Sequence, residues 1–277
     1  MSELTSLVTG RAFLEAPRWR DGFLYVSDMF ADEVLRISEA GEVSTVVEIE
    51  QPSGLGWLPD GSLLISSMLQ RRVLRFDGEH LRPHADLSAL APQEINDMVV
   101  DQHGNTFLGQ FGFDPRAGQV PVPAPLIRVA ADGDVAMAAP DMKFANGMAI
   151  TLDGSTLLVA ESVGQRITAF TLGDDGILTD RRVWAQLQGP PDGITVDRDN
   201  GVWFANPVSN QFVRVTEGGE VTETITTPGR HAIACALGGS DGHTLFLLTS
   251  TTLGGSDQAR RARGAAVDTT RVRVPAA

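Results

Sequence analysis

Cysteine appears once in this 277-residue chain, so no internal disulfide is available to staple it. Cys235 sits among Ile233, Ala234, Ala236 and Leu237 and reads as a buried structural thiol. Basic residues are in deficit: 22 Lys+Arg face 35 Asp+Glu, a formal charge of −13. A surface of that sign repels phosphate backbones and anionic bilayers, which excludes nucleic acid and membrane surfaces as expected partners. No apolar run approaches the ~20 residues that span a bilayer, and Met1–Gly10 lacks the basic start and apolar block of a signal peptide. The expected location is the cytoplasm. Helical periodicity is missing too, and what remains is a chain of short alternating or apolar runs punctuated by Gly, Asp and Asn.

The punctuation repeats. Ser53-Gly-Leu-Gly-Trp-Leu-Pro-Asp60-Gly61, Asn146-Gly-Met-Ala-Ile-Thr-Leu-Asp153-Gly154 and Asp192-Gly-Ile-Thr-Val-Asp-Arg-Asp199-Asn200-Gly201 are one phrase written three times. Weaker copies begin at Glu15, Asn96 and His231 and reach the turns Asp21-Gly22, His103-Gly104 and Asp241-Gly242. A second apolar run follows each turn, as in Phe23–Ser27, Thr106–Gly109 and Thr156–Ala160, so every copy opens on a β-hairpin. The starts at 15, 53, 96, 146, 192 and 231 lie 38, 43, 50, 46 and 39 residues apart, the length of a propeller blade. The expected fold is all-β: a six-bladed β-propeller of four-stranded antiparallel blades, with residues 1–277 as one domain. The strand around Thr5–Thr9 is expected to close the ring beside Val272–Val274, leaving no free sheet edge. A solenoid also repeats, but it needs polar capping units and has no reason to bring its termini together.

In a propeller the first strand of each blade lines the central channel. Glu15, Ser53, Asn96, Asn146, Asp192 and His231 are therefore expected to converge on one axis. Two carboxylates and two carboxamides there suit a hard divalent cation, calcium ahead of magnesium, manganese or zinc, since calcium takes roughly six to eight oxygen ligands. Neither thiolates nor clustered histidines speak for zinc or copper. Asn146-Gly147 and Asp192-Gly193 are also favoured turn pairs, but each is followed by an apolar strand and a second strong turn, so the hairpin is already accounted for. Second strands return to the same side, which places Ser27, Asp28, Ser67, Gln110, Phe111, Glu161, Asn206 and Thr249 at the pocket mouth. The segment Phe111–Pro125, rich in Pro and Gly and including Pro115, reads as a long loop, either a lid or a connection. Arg260-Arg261-Ala-Arg263 reads as a solvated loop.

Four motifs, Glu15-Ala-Pro-Arg-Trp19, Asn96-Asp97-Met-Val-Val-Asp101, Asn146-Gly-Met-Ala-Ile150 and Pro191-Asp-Gly-Ile-Thr-Val-Asp197, resemble the family of regucalcin (senescence marker protein) and the bacterial gluconolactonases in order and spacing. The resemblance covers essentially the whole chain. It implies that Glu15, Asn146 and Asp192 bind a metal, that Asn96 faces metal and substrate, and that Asp192 also serves as general base. Members that hydrolyse sugar lactones carry arginine two residues before the Asn-Asp pair, where this chain has Glu94. A carboxylate at the pocket rim repels anionic substrates and cannot donate to sugar hydroxyls as arginine does, so a neutral, less hydroxylated lactone is expected. In a solvated loop after Pro92-Gln93, Glu94 would have no such effect.

The expected activity is hydrolysis of a small lactone or ester by water, with a metal-polarised carbonyl. Asp192 accepts the proton of the attacking water; His231 is the rival base, or the donor to the leaving alkoxide. Asn96, Glu94, Ser53, Phe111 and Glu161 are the candidate substrate contacts. Another metal-dependent reaction on the same scaffold, such as phosphotriester hydrolysis or a nonhydrolytic biosynthetic step, and a noncatalytic binding propeller are the alternatives.

Overall fold

The hairpin turns set the architecture. Gly22, Gly61, Gly104, Gly154 and Gly242 take φ between +72° and +87°, and in the fifth copy Asn200 does so at +57°. Aspartates cap these turns: Asp60 accepts the Ser62 N–H, Asp101 those of His103 and Asn105, and Asp197 those of Asp199 and Gly201. With the turns fixed, the apolar runs pair as antiparallel strands. In this computed structural model, which describes residues 4–114 and 117–276, they form six four-stranded sheets around one axis, a six-bladed β-propeller. Met1–Glu3, Ala277, and Pro115 and Arg116 of the expected loop lie outside the described residues.

The inner strands are Leu14–Arg20, Pro52–Trp57, Ile95–Val100, Ala145–Ile150, Ile194–Val196 and His231–Gly238. Their hairpin partners are Phe23–Asp28, Leu63–Ser67, Thr106–Gln110, Thr156–Glu161, Val202–Asn206 and Thr244–Ser250. The N-terminal strand Thr5–Arg11 closes the ring as the outer strand of the sixth blade, as expected, but its partner is Ala265–Arg271, with Thr5 opposite Thr269 and Arg11 opposite Ala265. Val272–Val274 lie beyond the strand, and the chain end runs to the fifth blade, where Ala276 bridges Asp197. The valines signalled burial rather than pairing. The basic stretch also differs from expectation: Ser256–Ala262 is a helix whose Arg260 reaches Asp32 at 2.7 Å. Among the described residues no helix is long and apolar enough to cross a membrane.

The core is divided among the gaps between blades. Leu24 and Val26 meet Phe246 and Leu248 between the first and sixth blades; Ile167 and Trp184 meet Ile194 and Phe204 between the fourth and fifth. Cys235 lies between the fifth and sixth, where burial pushes its thiol up, as a structural thiol requires. Near the axis the approach is close: a Cβ on Gly54 would stand 2.4 Å from the Met98 backbone nitrogen. Backbone cannot yield as a side chain can, so Gly54→Ala is expected to cost about 3 kcal/mol or more in urea unfolding. An unchanged midpoint would show that the inner strands have slack.

Candidate active site

Five of the six inner strands carry an extra residue at the same place. Leu14 faces Asp28 and Glu15 faces Ser27, but Arg18 faces Tyr25; likewise Ile95 faces Gln110 before Met98 faces Leu108, and Ala145 faces Glu161 before Met148 faces Val159. Such a bulge re-aims the residues that it contains. Glu15, Asn96 and Asn146 stand at this point, and in the fifth blade Asp192 does, its N–H donating to the Ala205 carbonyl at 2.9 Å. All four line one cavity of about 570 Å³.

The structure does not bring every expected residue to that cavity. In the sixth blade His231 pairs with Ser250, which sets it level with Leu14, Ile95 and Ala145; the residue equivalent to Glu15 and Asn146 is Ala232. A one-residue slip turns a strand side chain to the other face, and the His231 ring instead hydrogen-bonds the Pro207 carbonyl through Nδ1 at 2.9 Å. Ser53 is at an axial position but lies behind the wall, its hydroxyl donating to Asn96 at 3.5 Å. Glu161 faces away from the cavity: Arg166 donates to both its oxygens at 2.8 and 3.1 Å, and the Lys143 N–H donates at 2.7 Å.

Glu161 belongs to a repeated device. At the same strand end Asp28 accepts the Phe13 N–H at 2.9 Å, Gln110 donates to the Leu90 carbonyl at 3.2 Å and Asn206 to the Gln188 carbonyl at 3.1 Å. These side chains latch the segment leading into their own blade. The cavity wall comes from one residue further on, Met29, Met68, Phe111, Ser162 and Pro207, and from the residue preceding each inner strand, including Phe13, Gln51, Glu94 and Phe144. The two sets are joined by backbone bonds from Met29 to Phe13 (2.8 Å), Met68 to Gln51 (3.2 Å), Phe111 to Glu94 (3.1 Å) and Ser162 to Phe144 (3.0 Å). Glu94 and Phe111 thus line the cavity as expected.

Three carboxyl groups share the axis, Asp97 buried and Glu15 and Asp192 partly buried. Burial, with Asp192 and Asp97 nearby, pushes Glu15 well above the usual carboxylate range. Burial raises Asp192 to about 7, aided by Asp97 and opposed by the adjoining Asn146 amide. Asp97 is raised by burial although Arg18 donates to it at 2.9 Å. Arg18 also reaches the carbonyls of Leu55 at 3.1 Å and Met98 at 2.6 Å, so its charge is committed to the channel below the cavity. No lysine, arginine or histidine lines the cavity among the described residues, which leaves Glu15 and Asp192 without a cationic partner there. Two carboxylates and two carboxamides form an all-oxygen donor set that fits a hard divalent cation. No group of three or more carboxylate, imidazole or thiol side chains stands ready for a metal among the described residues, so a cation would depend on the amides.

Sequence reasoning missed Arg18 and Ser162. Arg18 was visible in the Glu15 motif, three residues on, but only the bulge shows why it points into the channel. Ser162 accepts from Asn146 Nδ2 at 3.2 Å and donates to the Pro191 carbonyl at 2.7 Å, fixing the amide beside Asp192.

Residues 13–251 match the family described as the SMP-30/Gluconolactonase/LRE-like region, and the chain belongs to that family. Among its relatives is a 6-deoxy-6-sulfogluconolactonase of Pseudomonas putida, 26% identical over 251 residues, covering 85% of this chain and 82% of the relative. The solved structure of a luciferin-regenerating enzyme superposes with a TM-score of 0.85 at 18% identity, covering 100% of this chain and 98% of the other. That of the calcium-binding protein regucalcin from Agrobacterium tumefaciens superposes with 0.84 at 19%, covering 100% and 96%.

Two measurements check the roles outside the cavity. Arg18→Met strands a buried carboxylate and is expected to cost about 3 kcal/mol in urea unfolding, with Asp97→Asn in the same chain recovering most of it. For Glu161, burial raises the carboxyl, but bonds from Arg166, Thr168 and the Lys143 amide outweigh it and hold it below the usual range. Its contribution is therefore present above the ordinary carboxylate value and is lost as pH falls through the lowered one. Glu161→Gln is expected to be less stable at neutral pH, with the difference shrinking as the solution is acidified through that window; a pH-independent difference would contradict the assignment.

Proposed function

We propose that the chain is a lactonase that depends on a divalent cation, calcium first, held by Glu15, Asn96, Asn146 and Asp192. The observation that carries this reading is the convergence of two partly buried carboxylates and two buried carboxamides in one cavity, in a family whose named relatives include lactonases. When bound, the cation supplies the positive charge that polarises an ester carbonyl and stabilises the oxyanion. Asn146, fixed by Ser162, keeps the floor in one geometry. Asp192 accepts a proton from the water that adds to the carbonyl carbon; the ring C–O bond then breaks, the alkoxide takes up a proton, and a hydroxy acid leaves. Asp192 is favoured over His231 as base because it lines the cavity and His231 does not. Glu94 and Phe111 border the bound substrate.

Hydrolysis of a panel of lactones and esters, with chelator and with restored calcium, tests the reading. Activity is expected to fall at least 100-fold on chelation and to return with calcium; full activity in chelator would refute the cation requirement. Asp192→Ala is expected to lose both cation and turnover, whereas Asp192→Asn keeps an oxygen ligand but no proton acceptor and so retains more cation binding than activity. Wild-type kcat in Asp192→Asn would remove Asp192 as the base.

A further inference from the structure

One apolar cluster stands apart from the gaps between neighbouring blades. Phe13, Met29 and Met68, with Ile233 and Ala259, pack together with the half-buried Phe30 and Phe111 on the face where the cavity opens. Five of these, Phe13, Met29, Phe30, Met68 and Phe111, line the cavity, and Phe144 joins them. The rings of Phe111 and Phe144 lie 4.6 Å apart and those of Phe13 and Phe30 5.4 Å apart. Phe144 holds φ at +61°, a conformation that bulky residues rarely adopt. Glycine would meet that backbone requirement without strain, so the ring is present at a conformational cost. At the mouth, Val208 and Leu253 line the cavity while remaining 73% and 51% exposed.

Gln51, Glu94 and Ser162 line the same cavity, but these apolar side chains form a continuous stretch that offers a ligand almost nothing to hydrogen-bond. A hydroxyl buried against them loses its water without replacement, which disfavours binding by about tenfold or more per group. A methylene buried there gains about fourfold. We infer that the wall takes an apolar substituent, aliphatic or aromatic, and that the substrate is a neutral lactone or ester bearing such a group rather than a polyhydroxylated sugar lactone. This rests on the lactonase reading for the reacting bond and on the wall alone for the substituent.

The test is kcat/KM for γ-lactones with unbranched alkyl substituents from none to hexyl, beside glucono-lactone, in the calcium-loaded protein. The expected result is a rise of about threefold per methylene over the first carbons, with glucono-lactone below the hexyl compound by at least 100-fold. Phe144→Gly suits the backbone and so keeps the fold; it is expected to flatten the rise, as is Val208→Ser at the exposed mouth. Turnover without chain-length dependence, or preference for the sugar lactone, would overturn the inference and leave the lactonase reading intact. If no lactone is turned over, the lactonase reading fails instead, and calorimetric titration with alkyl-substituted cyclopentanones, which cannot be hydrolysed, decides the wall separately. Affinity that rises with chain length supports the inference, and affinity that does not rise overturns it.

Discussion

Closing six blades into a ring forces six inner strands to approach one axis, and the chemistry of the site follows from how tightly they do so. Gly147 and Gly193 each follow an axial residue, and neither has room for a side chain: a Cβ would stand 2.6 Å from the Asp192 carbonyl oxygen in one case and 2.4 Å from the Ala234 Cβ in the other. The axial residues cannot back away from one another. Glu15, Asp97 and Asp192 are therefore held close and largely out of water, where like charges are costly. Arg18 answers Asp97 from within the fold. On the proposed reading, the charge on the other two is what a bound cation would answer, and the packing of backbone at the axis is what would make room for it.

Much of this was legible because the blade repeats. Turn residues recur at fixed offsets and announce the hairpins, and the hairpins place Glu15, Asn96, Asn146 and Asp192 at equivalent points without any knowledge of contacts. What was not legible is single-residue register. The bulge adds one residue to five of the six inner strands, and in the sixth repeat, Arg230-His231-Ala232, the polar residue stands one place before the axial position. Side chains alternate along a strand, so an error of one residue exchanges the axis for the opposite face.

The same alternation explains Glu161. In four blades the last residue of the second strand, Asp28, Gln110, Glu161 or Asn206, latches the lead-in segment, while the next residue, outside the strand, turns to the cavity. A sequence rule that selects strand ends finds the latch and misses the wall. Arg18 and Ser162 escaped for a related reason: their partners are Asp97 and Met98, two blades away in the ring, and Pro191, in the next blade, and no local pattern announces such bonds.

Floor and wall are thus built by different parts of the chain. The floor belongs to ladder-bound strands whose register cannot shift without disturbing the core. The wall belongs to residues one step outside the strands, such as Glu94, Phe111 and Phe144, which lie outside the strand ladder on latched segments. Changing a wall side chain leaves the ladder, the latch and the axial carboxylates untouched, whereas changing Glu161 touches no substrate surface and loosens the segment that carries Phe144. If the floor reacts and the wall recognises, as proposed, the architecture separates the two roles. On the proposed reading the reacting ester meets the four polar side chains of the floor, and the rest of the substrate meets the wall, where phenylalanine and methionine are the commonest side chains.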